Sequence, residues 1–445
     1  LRQIFFMFRN FINKHLNMNK YIRISLHILY FALYILPIFL VINGVGYFSK
    51  YTNITVLFSI HIFIAIISIY LCRKQIPFYK EIKYKKYSIY SIIILFILVI
   101  ISIVYYFNIG INEYGNYETF SDVIPQLKVL YERYSKGVQP YAPLEMYSHK
   151  PYPVYMPAHW LILAPAYLLN FDLRWIGIII LLITIFSSLL IIRTRFISLL
   201  QMFFGLIISF VAILSYCILA KSELFVTFET PIAAYYIILA IGLANRNLVW
   251  ITIGIILCLL SRYTVVFWLP LFCFIAINEL TLKQNILMFG AILSSIILFY
   301  ILPFLIIEPN LLSIGIAYHN NAAIADWFGY GIPPISWTQE TGVSFGPILK
   351  LIFSGDAEQE VYKTRVLQAF MMIALNIIGL LIYKKYKGII NYFDIALIML
   401  YLILVFFYIF SPLTYRYYYI TIFTLSSIVY IISTSLPRNK VKILN

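Results

Sequence analysis

Residues 88–107, SIYSIIILFILVIISIVYYF, form an uncharged apolar stretch. A transmembrane helix needs about 20 consecutive apolar residues, so this stretch is long enough to cross a bilayer. Similar stretches recur along almost the whole chain, which has 445 residues, 62% of them hydrophobic and 11% charged. A soluble domain has roughly 25% charged residues, so the composition is typical of a polytopic membrane protein without a large soluble domain.

The further apolar stretches predict an all-α membrane protein with about 11–12 transmembrane helices. The predicted spans are residues 24–43, 52–71, 88–107, 174–192, 198–218, 224–244, 248–260, 265–278, 286–307, 366–383, 393–411 and 418–435. Two short spans flank Ser261 and Arg262, and they are either complete spans or the half-helices of one hairpin. Residues 158–170 are apolar but contain Pro165, which predicts a segment that enters the membrane without crossing it.

The charges on either side of residues 88–107 indicate the orientation of the chain. Lys85 and Lys86 precede this stretch, whereas Glu113 and Glu118 follow it. The same comparison at every span puts most of the 33 Lys and Arg residues on one side and most of the 17 acidic residues on the other. By the positive-inside rule, both termini are cytoplasmic and the long loops face the outside of the cell membrane. Topology then explains the net charge of +16, and no nucleic acid partner is expected.

This topology divides the chain into consecutive segments. They are a cytoplasmic amphipathic helix (1–21), N-terminal transmembrane helices (22–107), an outer loop (108–173), a transmembrane core (174–307), a second outer loop (308–365), and C-terminal transmembrane helices with a basic tail (366–445). The first segment has Phe5, Phe8 and Phe11 on one helical face and basic residues elsewhere. This pattern is typical of a helix that lies on a membrane surface as an anchor.

The outer loop of residues 108–173 contains a predicted short amphipathic helix. Apolar and aromatic residues recur at helical spacing, at Phe120, Val123, Ile124, Leu127, Leu130, Tyr131 and Tyr134. Ser121 is placed as the N-cap, Pro125 falls in the first turn, and Gly137 is placed as the C-terminal cap. We expect this helix to lie along the membrane surface, with Asp122 at its start, where the helix dipole favours a negative charge.

Short motifs rich in proline and tyrosine follow this helix. They are Lys136-Gly137, Pro140-Tyr141, Tyr155-Met156-Pro157 and Ala164-Pro165. Together with Asp122 and Leu130-Tyr131, they resemble the first outer loop of membrane glycosyltransferases with the GT-C fold, closest to the polyprenol-phosphate-mannose-dependent mannosyltransferases. In that group an Asp opens the loop, a Gly-x-x-Pro-Tyr element follows, and a Tyr-x-Pro-Pro-like element leads into the next apolar segment. A rigid aromatic connector at the bilayer interface would have a similar composition.

The resemblance implies transfer of a sugar, by default mannose, from a polyprenyl-phosphate donor to a glycan or lipid acceptor. A carboxylate must accept the proton of the acceptor hydroxyl. Asp122 is the predicted base, with Glu113 and Glu118 as the alternatives. A lipid phosphate leaves readily, so the resemblance implies neither a metal nor a cofactor. The sequence has no Asp-x-Asp motif, and its four cysteines have no metal-ligand spacing.

Arg262, Arg416 and His319 are the candidates for binding the donor phosphate. Arg262 interrupts an apolar hairpin, where an ionisable residue is costly and is by default a functional hypothesis. Arg416 lies between the last two spans, and His319 lies in a polar segment beyond residue 307. Guanidinium groups suit bidentate phosphate contacts. The alternative is that the arginines only extend toward the membrane interface and that His319 has no role.

Aromatic and polar residues of the outer loops are the candidates for substrate contacts. They are Tyr141, Tyr155, His159, Asp326 and Trp327. Aromatic rings offer a flat apolar face for stacking on a sugar, but they also suit a loop that rests on the bilayer. Near the outer ends of two spans, Lys221, Glu223 and Glu229 would either line the site or pair with one another.

Two other functions fit a protein of this class. A transporter or flippase for a lipid-linked or polar substrate would have ionisable residues near the middle of several spans, whereas these spans are almost free of charge. An oligosaccharide polymerase or ligase would depend on arginines in large outer loops rather than on a carboxylate that opens the first loop. The sequence therefore favours the transferase, with the sugar donor, the acceptor and membrane lipids as its partners.

Overall fold

A computed structural model of the chain describes residues 20–42, 50–74, 87–145, 152–192, 199–329, 343–412 and 415–435. These residues form helices joined by loops, and no strand occurs among them. The all-α prediction is therefore confirmed. Most of the amphipathic helix predicted for residues 1–21, and residues 330–342 of the second predicted outer loop, lie outside the described residues.

The α-helices are numbered in chain order. They are α1 (Lys20–Ile42), α2 (Lys50–Lys74), α3 (Tyr87–Glu113), α4 (Val123–Ser135), α5 (Pro157–Trp160), α6 (Ala164–Leu169), α7 (Arg174–Ile192), α8 (Leu199–Leu219), α9 (Lys221–Phe225), α10 (Thr230–Asn245), α11 (Leu248–Leu259), α12 (Leu269–Glu279), α13 (Leu282–Ile296), α14 (Leu311–Phe328), α15 (Gly346–Ile352), α16 (Ala357–Tyr386), α17 (Tyr392–Ile409) and α18 (Tyr419–Thr434). Short 3-10 segments connect some of them, and a π-helix (Ile297–Leu305) continues α13.

Each predicted span overlaps a helix, but the helices differ in their capacity to cross a membrane. Six described segments are long and apolar enough to do so: Asn53–Arg73, Phe96–Glu113, Leu282–Leu305, Ala357–Tyr386, Tyr392–Ile409 and Arg416–Thr434. A seventh is possible if Pro157–Leu169 and Arg174–Ser188, which are bent by 111° relative to each other, form one broken span. The remaining apolar helices are shorter: His27–Ile42, Phe203–Leu219, Thr230–Asn245, Leu248–Leu259 and Leu269–Glu279. The described residues thus contain six, or at most seven, helices that could span a membrane, which is consistent with a polytopic membrane protein but is fewer than the 11–12 spans expected.

The helices are arranged around a buried centre. In α17 and α18, 89% of the residues in the apolar segment are buried by other parts of the protein, compared with 17% for Leu282–Leu305 and 22% for α16. The outward side chains of α13 are large and apolar, and they include Leu282, Ile286, Leu287 and Leu293. A monomer in water rarely exposes an apolar surface of this extent, so the outer helices are suited to contact with lipid.

Helices α10 and α11 form a hairpin in which the two backbones approach each other closely. A Cβ atom on Gly254 would lie 2.5 Å from the Cα of Leu239, so only glycine allows the two backbones to approach this closely. At the turn, Arg246 has a φ of +58°, and the side chain of Asn247 caps α11 by accepting hydrogen bonds from Val249 N and Trp250 N. After α11 the chain turns at Ser261 and enters a 3-10 segment, so the two short helices of the predicted hairpin are separated at the expected position.

Candidate functional site

The site begins with helix α4, which forms in the predicted stretch, although its N-cap is Asp122 rather than the predicted Ser121. The hydroxyl of Ser121 accepts a hydrogen bond from Val123 N at 3.2 Å. At the other end, Gly137 has a φ of +70°. Val138 N then donates to Arg133 O at 2.9 Å, and Gly137 N donates to Tyr134 O at 3.0 Å. These two bonds form a Schellman motif, which requires a residue with positive φ at the position that Gly137 occupies.

Asp122 immediately precedes α4, and its carboxylate is held by the first turn of the helix. The side chain makes no capping hydrogen bond to the helix backbone. Instead, Gln126 Nε2 donates to Asp122 Oδ2 at 2.6 Å, and Gln126 itself is buried. Since Asp122 is only partly buried, this bond fixes one carboxylate oxygen and leaves the group within reach of a ligand.

Tyr141 fixes the loop that follows α4. Its hydroxyl donates to Tyr155 O at 2.8 Å and accepts from Trp160 Nε1 at 3.2 Å, and its side chain is 3% exposed. The guanidinium of Arg133 donates to the carbonyls of Pro140 and Ala142, at 3.1 and 2.6 Å. Tyr141 was a candidate for substrate contact, and the structure uses its ring and hydroxyl to position Tyr155.

Arg262 forms an ion pair with Glu229, which directly precedes α10. The two side chains are 14% and 4% exposed, and the guanidinium also lies over the ring of Tyr418, 4.5 Å from its centre. A backbone hydrogen bond of 2.7 Å from Ala158 N to Leu260 O joins this turn to the segment that contains Tyr155. From the sequence, Glu229 was identified only as one member of a charged group, because its pairing with Arg262 depends on the tertiary fold.

Tyr155 is the point at which these elements meet. Burial raises its pKa well above the usual value, Asp122 and Glu229 raise it further, and Arg262 lowers it. Hydrogen bonds join this segment to both neighbours, since the Tyr141 hydroxyl donates to Tyr155 O and Ala158 N donates to Leu260 O. We name the group of Asp122, Tyr155, Glu229, Arg262 and Tyr418 the Tyr155 cluster.

His159 is a buried residue that contacts Tyr155 and the backbone just before Glu229. Its side chain is 1% exposed, and its Nε2 donates to Phe228 O at 2.8 Å. Its ring also packs edge-on against Tyr155, with 5.2 Å between the ring centres. Because Phe228 precedes Glu229 in the chain, His159 ties the Tyr155 segment to the carboxylate. A substrate contact was proposed for His159, but its buried position indicates a structural role.

The two alternative bases, Glu113 and Glu118, have surroundings different from those of Asp122. Glu113 is exposed and pairs with Lys221, with 2.6 Å between Oε2 and Nζ. Glu118 is exposed on a 3-10 turn, Tyr117–Thr119. Asp122, by contrast, is held by Gln126 at the start of α4, and the loop that follows α4 is hydrogen-bonded to Tyr155 O through the Tyr141 hydroxyl.

Arg416 is also paired with a carboxylate. Its Nη2 lies 3.1 Å from Glu223 Oε1, and its Nη1 donates to Ile42 O at 3.5 Å. Burial raises the pKa of Glu223, and Arg416 opposes this effect. Of the two alternatives for Lys221, Glu223 and Glu229, pairing with one another does not occur, because each has a different partner.

Helix α14 carries the remaining candidates. Burial, Arg365 and Arg262 together lower the pKa of His319 to about 4, so its imidazole is neutral near pH 7. Asp326 accepts a hydrogen bond of 2.6 Å from the Tyr415 hydroxyl, and burial raises the pKa of this carboxyl. Burial raises the pKa of Tyr415, and Asp326 raises it further.

Trp327 does not face the Tyr155 cluster. Its side chain is 2% exposed and packs in a small apolar core with Leu349 and Val361. Its indole N–H donates to Glu360 Oε2 at 2.7 Å, and its carbonyl accepts from Lys350 Nζ at 2.9 Å. A ring enclosed in this way has no face free for stacking on a sugar, so Trp327 is a packing residue.

Arg365 and the tyrosines packed around Tyr418 were not singled out from the sequence. Tyr415 and Tyr417 form stacked or edge-on ring pairs with each other and with Tyr418 of the Tyr155 cluster. Their run in the sequence, YRYYY from Tyr415 to Tyr419, was a usable signal. Arg365 lies in a charged stretch that resembles an ordinary solvated helix end, so no local pattern distinguishes it.

Within the described parts of the chain, no three His, Cys, Asp or Glu side chains lie close enough together to form a metal site. Comparison of the chain with protein-family models, with curated proteins and with solved structures gives no match.

Proposed function

We propose that this protein is a membrane glycosyltransferase that uses a polyprenyl-phosphate-linked sugar. The proposal also includes the finer elements of the prediction: a GT-C-like fold, a site on the extracytoplasmic face, and a glycan or lipid acceptor. Mannose is the default sugar on the basis of the resemblance alone.

The observation that carries the proposal is that the segment of Tyr155 is joined both to the loop after α4 and to the turn before Arg262, through hydrogen bonds from the Tyr141 hydroxyl to Tyr155 O and from Ala158 N to Leu260 O. Asp122 belongs to the first long loop and Arg262 to a distant turn of the chain, so this arrangement would supply a base and a cation to one site. Sugar transfer needs a carboxylate that accepts the proton of the acceptor hydroxyl. It also needs positive charge or hydrogen-bond donors near the departing phosphate.

The surroundings of the cluster suit a lipid-linked donor. The outward faces of α13 and α16 are apolar, and helices of this kind accept a polyprenyl chain alongside membrane lipids. Asp122 would bind and deprotonate the acceptor hydroxyl, and Gln126 would hold the carboxylate in the required orientation. Tyr155 would separate the base from the guanidinium, so that the two charges do not neutralise each other directly.

Transfer of label from radiolabelled polyprenyl-phosphate monosaccharides tests this function in lipid nanodiscs, with a lipid and glycan extract as the source of acceptor. We expect Asp122→Asn to lower the rate about a hundredfold to ten-thousandfold, as is typical for loss of a general base. Glu118→Gln is the matched control, since it removes an exposed carboxylate a few residues away.

The outcomes separate the reaction class from the residue. If Asp122→Asn and the wild type transfer label equally, the glycosyltransferase stands and the base is another group. If the wild type neither transfers label nor binds any of the donors, the glycosyltransferase proposal is wrong.

A further inference from the structure

The arginines around the Tyr155 cluster differ in how their charge is compensated. Arg262 is paired with Glu229, and Arg416 is paired with Glu223. Arg365, in the early turns of α16, forms no ion pair with any residue in the described ranges. It is therefore the arginine in this region whose charge is available to an anion.

The hydrogen-bonding capacity of Arg365 is also largely unused. Its Nη2 donates to His319 O at 3.4 Å, and this is its one hydrogen bond within the described residues. A guanidinium has five N–H donors in a planar fork. Arg365 is half-buried, so its other donors are partly withdrawn from water. Charge-assisted hydrogen bonds to an oxyanion would satisfy them.

Two neighbouring side chains locate Arg365 relative to Arg262. Tyr263, which follows Arg262, packs edge-on against Phe407 with 6.1 Å between the ring centres, and Phe407 O accepts a hydrogen bond of 2.7 Å from Gln368 Nε2, one turn after Arg365. Arg365 Nη2 also donates to His319 O, and burial, with both arginines, lowers the pKa of His319 to about 4. A neutral imidazole at this position is able to donate one further hydrogen bond to an oxyanion.

We propose that Arg365 is the main binding residue for a phosphate group, with Arg262 and His319 beside it. The inference rests on the proposed function in one respect, namely that the phosphate belongs to the polyprenyl-linked donor. A tetrahedral oxyanion has enough oxygens to accept hydrogen bonds from a guanidinium fork and from an imidazole together. Arg262 remains bound to Glu229 in this arrangement and supplies a second, partly compensated positive charge.

Binding of polyprenyl phosphate without a sugar tests the assignment directly. The full chain is placed in nanodiscs, and affinities for polyprenyl phosphate and for inorganic phosphate are measured for the wild type and for each variant. Arg365→Gln is compared with Lys363→Gln, which removes the same charge from the same helix at a residue whose Nζ donates to Ser354 O. Thermal unfolding in the same nanodiscs shows whether each variant is folded.

We expect Arg365→Gln to weaken polyprenyl phosphate binding roughly tenfold, as the loss of a charge-assisted hydrogen bond does. Lys363→Gln should bind as the wild type does. Equal affinities of Arg365→Gln and the wild type would overturn the role of Arg365, while the proposed function would stand. An equal loss in Lys363→Gln would also overturn it, because the effect would then be a general one of charge.

Two further results are informative. If Arg365→Gln does not fold, Arg365→Lys takes its place, because it keeps the charge and loses the planar fork; unchanged affinity in that variant contradicts the proposal. If inorganic phosphate binds in an Arg365-dependent manner and polyprenyl phosphate does not bind, the phosphate site stands and the lipid-linked donor is wrong. If the wild type binds neither, the assignment of Arg365 is wrong.

Discussion

Glu229 and Arg262 form a largely buried ion pair that joins the start of α10 to the turn after α11. Glu229 Oε1 contacts the guanidinium, whereas Glu229 Oε2 is buried without a hydrogen-bond partner in the described structure. Burial raises the pKa of Glu229, and Arg262 opposes this effect. Each charge is therefore tolerated at its position because the other is present.

Breaking this pair should destabilise the protein. Glu229→Gln leaves the guanidinium of Arg262 buried without a counter-charge, which typically costs about 3–5 kcal/mol. We expect the double variant Glu229→Leu, Arg262→Met to recover most of that loss, because it removes both charges. Thermal unfolding of the single and double variants in detergent micelles measures the coupling. Additive losses in the double variant would show that the two residues act independently.

The contact between α10 and α11 gives a second test, on packing alone. In Gly254→Ala the new Cβ would lie 2.5 Å from the Cα of Leu239, so the helices must separate, at a cost of about 1–3 kcal/mol. Gly290→Ala is the matched control, since no atom lies within 4 Å of its new Cβ. We expect this variant to be as stable as the wild type or more stable by up to about 1 kcal/mol. Equal thermal stability of the two variants would argue against the close hairpin.

The positions of the helices were predictable from sequence because long apolar runs and capping residues are local signals. The Schellman end of α4 at Gly137 illustrates this, since one glycine at the end of a periodic stretch was sufficient. The number of full spans was less predictable. Helices such as Leu248–Leu259 and Leu269–Glu279 are apolar but too short to cross a bilayer alone, and their lengths depend on where the chain turns.

The candidate site was only partly predictable, because side-chain environments depend on contacts between distant segments. Asp122 and Arg262 were selected from local signals, the first from its motif and the second from its interruption of an apolar run, and their roles stay predictions. Trp327 was misjudged because nothing local distinguishes an enclosed tryptophan from an exposed one. Glu229 and Arg365 acquire their significance from partners that the fold supplies, or does not supply.

Removing the hydroxyl of Tyr141 should loosen the Tyr155 cluster while leaving the reacting groups in place. Tyr141→Phe deletes a donor to Tyr155 O and an acceptor for Trp160 Nε1, which together should lower stability by about 1–3 kcal/mol. In this variant the phenol of Tyr155 should shift relative to Asp122. We therefore expect kcat for sugar transfer to fall more than KM rises. Tyr152→Phe is the control, since its hydroxyl makes one hydrogen bond, to Tyr141 O at 3.1 Å. A Tyr152→Phe variant that is more impaired than Tyr141→Phe would contradict this role.

The neutral state of His319 should make stability depend on pH in a defined window. The pKa of His319 is about 4 in the folded protein and 6.5 when the group is unperturbed. Between these values the unfolded chain binds a proton that the folded protein does not, so stability should fall as the pH decreases from 6.5 to about 4 and then level off. The shift corresponds to at most about 3 kcal/mol, less whatever solvent screening removes at this half-buried position.

His319→Asn should abolish this contribution, because asparagine does not titrate. We expect the wild type to lose stability relative to the variant as the pH is lowered through this window. Thermal unfolding of both proteins above pH 6.5 and near pH 4 measures it. Asp326 and the other carboxyls titrate in both proteins and cancel in the difference. Parallel curves for the two proteins would mean that His319 has the same pKa in the folded and unfolded protein, so that neither burial nor the two arginines lower it.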